Sequence, residues 1–393
     1  MNRRTTLMLL LLLFGGVLVI LGLFLQQYLQ PKASIEILTG IPTRGVQEDQ
    51  VIPQLELREI VSGLIVPWEI VFPETNKMYV TERGGRVRVV LDGQLLPDPI
   101  LTIPEVSTQA EEGLMGMTLD PGYATNKLLY LAYAYPQNGN IRVKVVQYQD
   151  LEDRFEQRAV IIDNIPAARF HAGTRIAFGP DEKLYITTGD ASQKEIAQDL
   201  ESLGGKILRL NADGTIPADN PFPNSPIWSY GHRNSQGISW NPETGAMYAS
   251  EHGPSVFDGP PGGDEINLIE PGMNYGWPIV SHDESNPDMI SPIVQYTPAI
   301  APGGILWYSG ELFPQFQNTI LIAGLIGEGV YWLTIDESNP SQFIETGMLE
   351  FEIGRVRTIT QGVDGSIYLL TSNEDGRGDS TPEQDKIYQI VAQ

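Results

Sequence analysis

Apolar and polar positions along the chain follow a short recurring phrase rather than a helical stripe. An apolar run meets a turn of Pro, Asp, Glu, Gly and Asn, and an apolar-Tyr-apolar stretch then ends in small or acidic residues. The phrase stands at 70–85 (IVFPETNKMYVTERGG), 118–135, 176–190, 238–253 and 359–376, with a degraded copy at 312–333. Tyr79, Tyr130, Tyr185, Tyr248, the weak copy's Ile320 and Tyr368 follow one another at 51, 55, 63, 72 and 48 residues. β-branched and aromatic strands separated by turn residues at that period predict one propeller blade per copy. Six copies predict an all-β fold, a six-bladed β-propeller over 56–393, in which every repeat packs around one axis as a single domain.

The N-terminus departs from this pattern. Arg3 and Arg4 precede an apolar run from Leu7 to Leu25. That length stands at the border between a long signal-peptide core and a spanning helix, so residues 1–30 are expected to be one or the other. No small-x-small cleavage site follows, which favours an uncleaved anchor. The two arginines orient the rest of the chain to the extracytoplasmic, periplasmic side, where it would be secreted if cleaved. Residues 31–55, with Pro, Gln and Gly, are expected to act as the linker.

Composition narrows the chemistry. Forty glycines and 29 prolines suit a turn-rich β protein. A net charge of −24 repels a phosphate backbone and argues against nucleic-acid binding. The acidity reads as a solvated surface or as carboxylates for calcium, a hard cation. With no cysteine, disulfides, thiolate metal sites and thiol catalysis are excluded, and redox work would need a cofactor. No Walker loop, GxSxG elbow or dinucleotide fingerprint is present.

Propeller chemistry gathers in the loops at one end of the axis. His171 lies just before one repeat and Asp190 about one hairpin later, the residue types of a general base and its orienting acid, although a single histidine also caps or packs. Arg233 and Asn234, in SYGHRNSQGISW, could bind a carboxylate or polarise a carbonyl, or Arg233 could pair with a surface acid. Arg355 and Arg357 stand two apart, a spacing that puts both on one face of a strand, facing an anion or neighbouring acids. Glu111 and Glu112 precede the second repeat and would contact ligand hydroxyls or water. The segment 251–278, dense in Gly, Pro, Asp, Glu and Asn, reads as a cation-binding loop without EF-hand spacing.

Taken in order, EEGLMGM, FHAG…FGPDEKLYITTGD, LGGKILRLNADG, GHRNSQGI, EHGP…GGDEINLI…NYGWP and GRVRTI resemble the soluble quinoprotein glucose/sorbosone dehydrogenase family from about residue 63 to 391. The resemblance implies a six-bladed propeller using pyrroloquinoline quinone (PQQ) and calcium to oxidise aldose sugars to lactones. It implies His171 as the base, Asp190 as the acid that tunes it, and Arg233 and Asn234 on the quinone carbonyls. Arg355 and Arg357 would meet cofactor carboxylates, the carbonyls of Gly253 and Pro254 would hold calcium, and Glu111 would contact the sugar. Glu265, Tyr275 and Asp283 match a second, structural calcium site. One departure stands out: Gly327, followed by Glu328, falls where studied members carry a lysine, with Lys194 or Arg377 as candidates to compensate. The alternatives are a calcium-stabilised propeller binding module that has lost PQQ, and a calcium-dependent lactonase. No haem-attachment motif is present, so the electron acceptor would be a separate partner.

Overall fold

The computed structural model describes residues 55–378 and 384–392, and the N-terminal apolar run lies outside them. Among the described residues no helix is long and apolar enough to cross a membrane. What is described is an all-β six-bladed propeller with almost no helix: one helical turn at Tyr123–Asn126 and two 3-10 turns at Lys194–Ala197 and Pro314–Phe316.

Six separate sheets form the blades. Their innermost strands are Pro67–Glu74, Leu114–Leu119, Ile176–Phe178, Ser235–Trp240, Pro302–Trp307 and Val356–Gln361, and from each the chain steps outward by antiparallel pairing. The sixth blade takes its outer strand from the other end of the chain. Leu55–Val61 pairs antiparallel with Ile387–Ala392, aligning Leu57 with Ile390, so the two ends of the propeller are sewn into one sheet. That pairing covers what would otherwise be an open strand edge.

The repeating aromatic of the sequence is the centre of each blade. Tyr79, Tyr130, Tyr185, Tyr248 and Tyr368, with Ile320, all lie on second strands and are all buried. Each contributes on the order of 2 kcal/mol by burial. A buried phenol needs a partner for its hydroxyl. Tyr130 donates to Asp120 at 2.9 Å and Tyr185 to Asp181 at 3.1 Å, so the turn acid within the phrase anchors the tyrosine. The weak copy is different. Residues 312–317 form a turn, and the inner strand of that blade is Pro302–Trp307, upstream of the phrase, because a longer connection separates it from Thr319–Gly324.

Neighbouring inner strands approach closely at the axis. A Cβ on Gly303 would stand 2.2 Å from the Arg357 carbonyl oxygen, so only glycine allows that contact between blades five and six.

Candidate functional site

The segments that enter the inner strands, with those that leave the second strands, converge at one end of the propeller. His171 lies in the segment before Ile176–Phe178 and Asp190 in the segment after Leu184–Thr187. His171 adopts a left-handed backbone conformation, φ 55°, uncommon outside glycine. Opposite its carbonyl stands Gly189, where a Cβ would come within 1.9 Å of the His171 oxygen. This tight crossing sets the ring against the acid: His171 Nδ1 is 2.7 Å from Asp190 Oδ1. Asp190 is 1% exposed and also accepts the Ser192 N–H at 2.8 Å and the Trp277 indole N–H at 2.9 Å. A carboxylate accepting from Nδ1–H leaves the Nε2 lone pair as the free basic position. Arg233 Nη2 stands 2.9 Å from that Nε2 and donates into it.

Arg233 is held from several sides. Its Nε donates to Asp258 at 2.8 Å, its Nη1 to the His252 carbonyl at 3.2 Å, and its guanidinium lies 5.6 Å from the Trp277 ring. Burial alone would raise the Asp258 carboxyl; Arg233 and the Ser255 N–H outweigh it and hold it below the usual range. The Arg233 backbone N–H is taken by Glu251. The other oxygen of Glu251 meets His232 Nδ1 at 2.8 Å, and His232 Nε2 meets Ser229 Oγ at 2.8 Å. His232 is fully buried and stacks on Tyr275 at 4.7 Å, so this serine-histidine-glutamate string reaches no solvent and serves to hold Arg233.

A second group of cations gathers nearer the axis. Arg175 pairs with buried Glu69, donates to the Gln236 carbonyl at 3.0 Å and lies 4.2 Å from the Trp68 ring. Arg357 stands 5.8 Å from that ring and donates to Gln236 Oε1 at 3.2 Å, while its buried Nε has no partner. Burial, with Arg355 and Arg175 nearby, pulls the Arg357 guanidinium down to about 10. Burial and the facing Arg357, Arg233 and His171 likewise hold the His252 imidazole well below its usual range, and its Nε2 donates to the Pro302 carbonyl at 3.1 Å. The arginines at this end of the axis are matched by carboxylates, Arg233 by Asp258, Arg175 by Glu69 and Arg355 by Asp375, while the Arg357 Nε has no partner. An imidazole oriented by a carboxylate and flanked by arginines suits removal of a proton beside an anionic group.

The family model described as Glucose / Sorbosone dehydrogenase matches residues 64–380. The chain belongs to that family. The aldose sugar dehydrogenase YliI of Escherichia coli is 31% identical over 79% of this chain and 88% of its own length. The uncharacterized protein slr1608 of Synechocystis is 36% identical over 88% of this chain and 89% of its own. Among solved structures, the PQQ-bound aldose sugar dehydrogenase of Streptomyces coelicolor superposes with a TM-score of 0.75 at 31% identity, covering 87% of this chain and all of that one.

The remaining residues singled out in this glucose/sorbosone dehydrogenase relative are distributed as follows. Arg355 and Arg357 do not share a strand face in simple alternation. The strand starts at Val356 and its register shifts between Val356 and Thr358, and Arg355 is taken by Asp375 through Nε at 3.1 Å and Nη2 at 2.9 Å. Glu111 pairs with Arg377 at 2.7 Å and accepts the His171 N–H at 3.3 Å. Glu112 is fully buried and accepts the Gln109 and Ala110 N–H groups, so it shapes that loop. Asn234 accepts from Gln236 Nε2 at 3.3 Å and bridges to Gly189 in the neighbouring blade. Gly253 donates its N–H to Asp264, and the Pro254 carbonyl accepts from Gly262 at 3.3 Å. Glu265 and Tyr275 line a cleft with His282, whereas Asp283 is exposed outside that lining. Burial and nearby Glu251 push the Glu265 carboxyl up to about 8. Among the described residues, no group of three or more His, Asp or Glu side chains is placed to hold a metal. At Gly327 a Cβ would meet the Tyr331 hydroxyl at 2.4 Å, so the tyrosine ring fills the space into which a side chain there would project. Sequence reasoning passed over Trp277, Glu251, Asp258 and Gln236. Trp277, Glu251 and Gln236 fall inside motifs that the resemblance quoted, but nothing in their spacing marks what they touch.

Proposed function

We propose that this chain is a PQQ- and calcium-dependent dehydrogenase that oxidises the anomeric hydroxyl of aldose sugars, or a related alcohol, to the lactone. The observation that carries the reading is the His171 Nε2 lone pair, oriented by Asp190 and facing Arg233. His171 takes the hydroxyl proton at Nε2, and Asp190 stabilises the imidazolium through Nδ1–H. Arg233 Nη2 donates into that lone pair, so it must yield it when a sugar hydroxyl arrives. Its freed N–H groups, with Asn234, then serve negative charge that develops next to the base.

The residues fit an anionic quinone. The partnerless Nε of Arg357 is a buried donor that a carboxylate-bearing ligand would satisfy. When bound, PQQ supplies the two-electron acceptor that no protein side chain provides. Arg355 fits less directly, because it already pairs with buried Asp375. Calcium at Gly253 and Pro254 would rest on backbone carbonyls and on the cofactor, in keeping with a hard cation. A cation in the cleft beside Glu265 and Tyr275 would offset the Glu265 carboxylate, with Asp283 outside the lining. Glu111, beside the His171 N–H, suits a sugar hydroxyl. The electrons leave to a separate acceptor on the extracytoplasmic side, with the chain tethered by its N-terminal apolar run. A PQQ-free binding module is the second reading, and it draws on Gly327, whose surroundings leave no space for the lysine side chain unless Tyr331 moves.

Titration of the full chain with PQQ and calcium, following cofactor absorbance and dye reduction across a panel of aldoses, tests the proposal. Tight binding with sugar-dependent reduction, abolished by His171→Gln and by calcium chelation, is the expected result. Calcium stabilisation without PQQ binding at tens of micromolar would leave the binding module.

A further inference from the structure

We infer that Trp277 is a positioning residue that locks the base and Arg233 into one unit. The inference rests on the dehydrogenase reading above for its catalytic consequence, but its structural basis stands on the ligand-free protein.

Four side chains close a circuit. His171 Nδ1 meets Asp190 Oδ1 at 2.7 Å, and Asp190 Oδ2 accepts the Trp277 indole N–H at 2.9 Å. The Trp277 ring lies 5.6 Å from the Arg233 guanidinium, and Arg233 Nη2 returns to His171 Nε2 at 2.9 Å. The indole is buried, at 6% exposure, and its backbone is clamped on both sides. Its N–H donates to the Gly231 carbonyl at 2.9 Å, and its carbonyl accepts from Gln198 Nε2 at 2.7 Å. A ring fixed in this way cannot follow the groups it touches; they must follow it.

The two oxygens of Asp190 are divided. Oδ1 serves His171 and the Ser192 N–H, and Oδ2 serves the indole. Without the indole donor, a buried carboxylate oxygen loses its partner and the group is free to turn about its own axis. The alignment with Nδ1–H would then loosen, and with it the direction of the Nε2 lone pair. The remaining oxygen would also become a stronger acceptor, because a carboxylate with fewer donors holds its charge less well dispersed. Trp277 also presents its ring face to the guanidinium that must leave Nε2 before the sugar hydroxyl enters, so it defines one position to which Arg233 returns.

Trp277→Phe separates these roles, since it keeps an aromatic ring near Arg233 while removing the N–H together with one ring of the indole. With PQQ, calcium and a reducing aldose, kcat is expected to fall about tenfold to a hundredfold with KM nearly unchanged, the size of effect produced by misaligned reacting groups. The acid limb of the kcat/KM profile is expected to move to higher pH, a change that a merely structural loss would not produce. Trp277→Leu is expected to weaken PQQ binding as well, through Arg233. Wild-type kcat and an unmoved pH profile in Trp277→Phe would overturn the inference.

A second readout needs neither cofactor nor sugar. The Trp277 indole N–H resonance of the full chain, assigned by its loss in Trp277→Phe, is expected far downfield and is expected to move upfield in Asp190→Asn. A resonance that ignores Asp190→Asn overturns the circuit even where a variant folds poorly. A resonance that responds, in a protein that never oxidises sugar with PQQ, leaves the circuit standing and overturns the dehydrogenase reading alone.

Discussion

Two histidine-carboxylate pairs sit on either side of Arg233, and they differ in one physical respect. His171–Asp190 and His232–Glu251 have nearly the same geometry, with Nδ1 to oxygen distances of 2.7 and 2.8 Å. The His171 side chain is 14% exposed and the His232 side chain 0%. The first has its Nε2 opposite the Arg233 guanidinium; the second has its Nε2 against Ser229 under a stacked Tyr275. Under the proposed function, the same chemical pair is a base where the side chain is partly exposed and a brace where it is fully buried. Residue type and pairing do not define a catalytic dyad; access to the second nitrogen does.

The largest expected break of this contrast is His171→Gln. It removes the base while leaving the brace, so kcat should fall by about a thousandfold, within the range for a lost general base, and the thermal midpoint should stay within a few degrees. His232→Leu should do the reverse. It leaves the Glu251 carboxylate buried without its histidine, costing about 3 kcal/mol in denaturant-induced unfolding, with a smaller activity loss transmitted through the Arg233 backbone.

The two arginines of GRVRTI should divide along the same line. Arg355→Gln breaks a buried pair with Asp375 and should cost about 3 kcal/mol of stability. Arg357→Gln loses a donor group whose Nε is unpartnered, so it should spare stability and weaken PQQ binding about tenfold, measured by cofactor titration. The smallest effect concerns Gly327. Gly327→Lys forces Tyr331 aside and should lower stability by about 1 kcal/mol, and only with Tyr331→Ala should the added cation tighten PQQ binding.

Much of the fold was legible because the propeller repeats locally. The apolar-turn-tyrosine phrase encodes two adjacent strands and the hydroxyl anchor between them, as in Tyr185 and Asp181, all within a few residues. The blade around Ile320 was harder to read. Its inner strand, Pro302–Trp307, carries the glycines needed at the axis and stands apart from its partner, so the phrase was taken from the turn at 312–317. The ring closure was invisible, since Leu55–Val61 pairs with a strand more than 300 residues away and no local pattern records that distance.

Within the site the same division holds. Residue types and motif order by themselves determined the blade count, the family resemblance and the candidacy of His171, Asp190, Arg233 and Arg357. Tertiary structure alone decided which candidates meet. It put Arg233 on His171, assigned Arg355 to Asp375, buried His232 and brought Trp277 from 87 positions along the chain to the second oxygen of Asp190. Strand pairing and turn anchoring act between neighbours in sequence, so they leave a periodic trace. Contacts across the axis join loops of different blades, and their partners are fixed only when the ring closes.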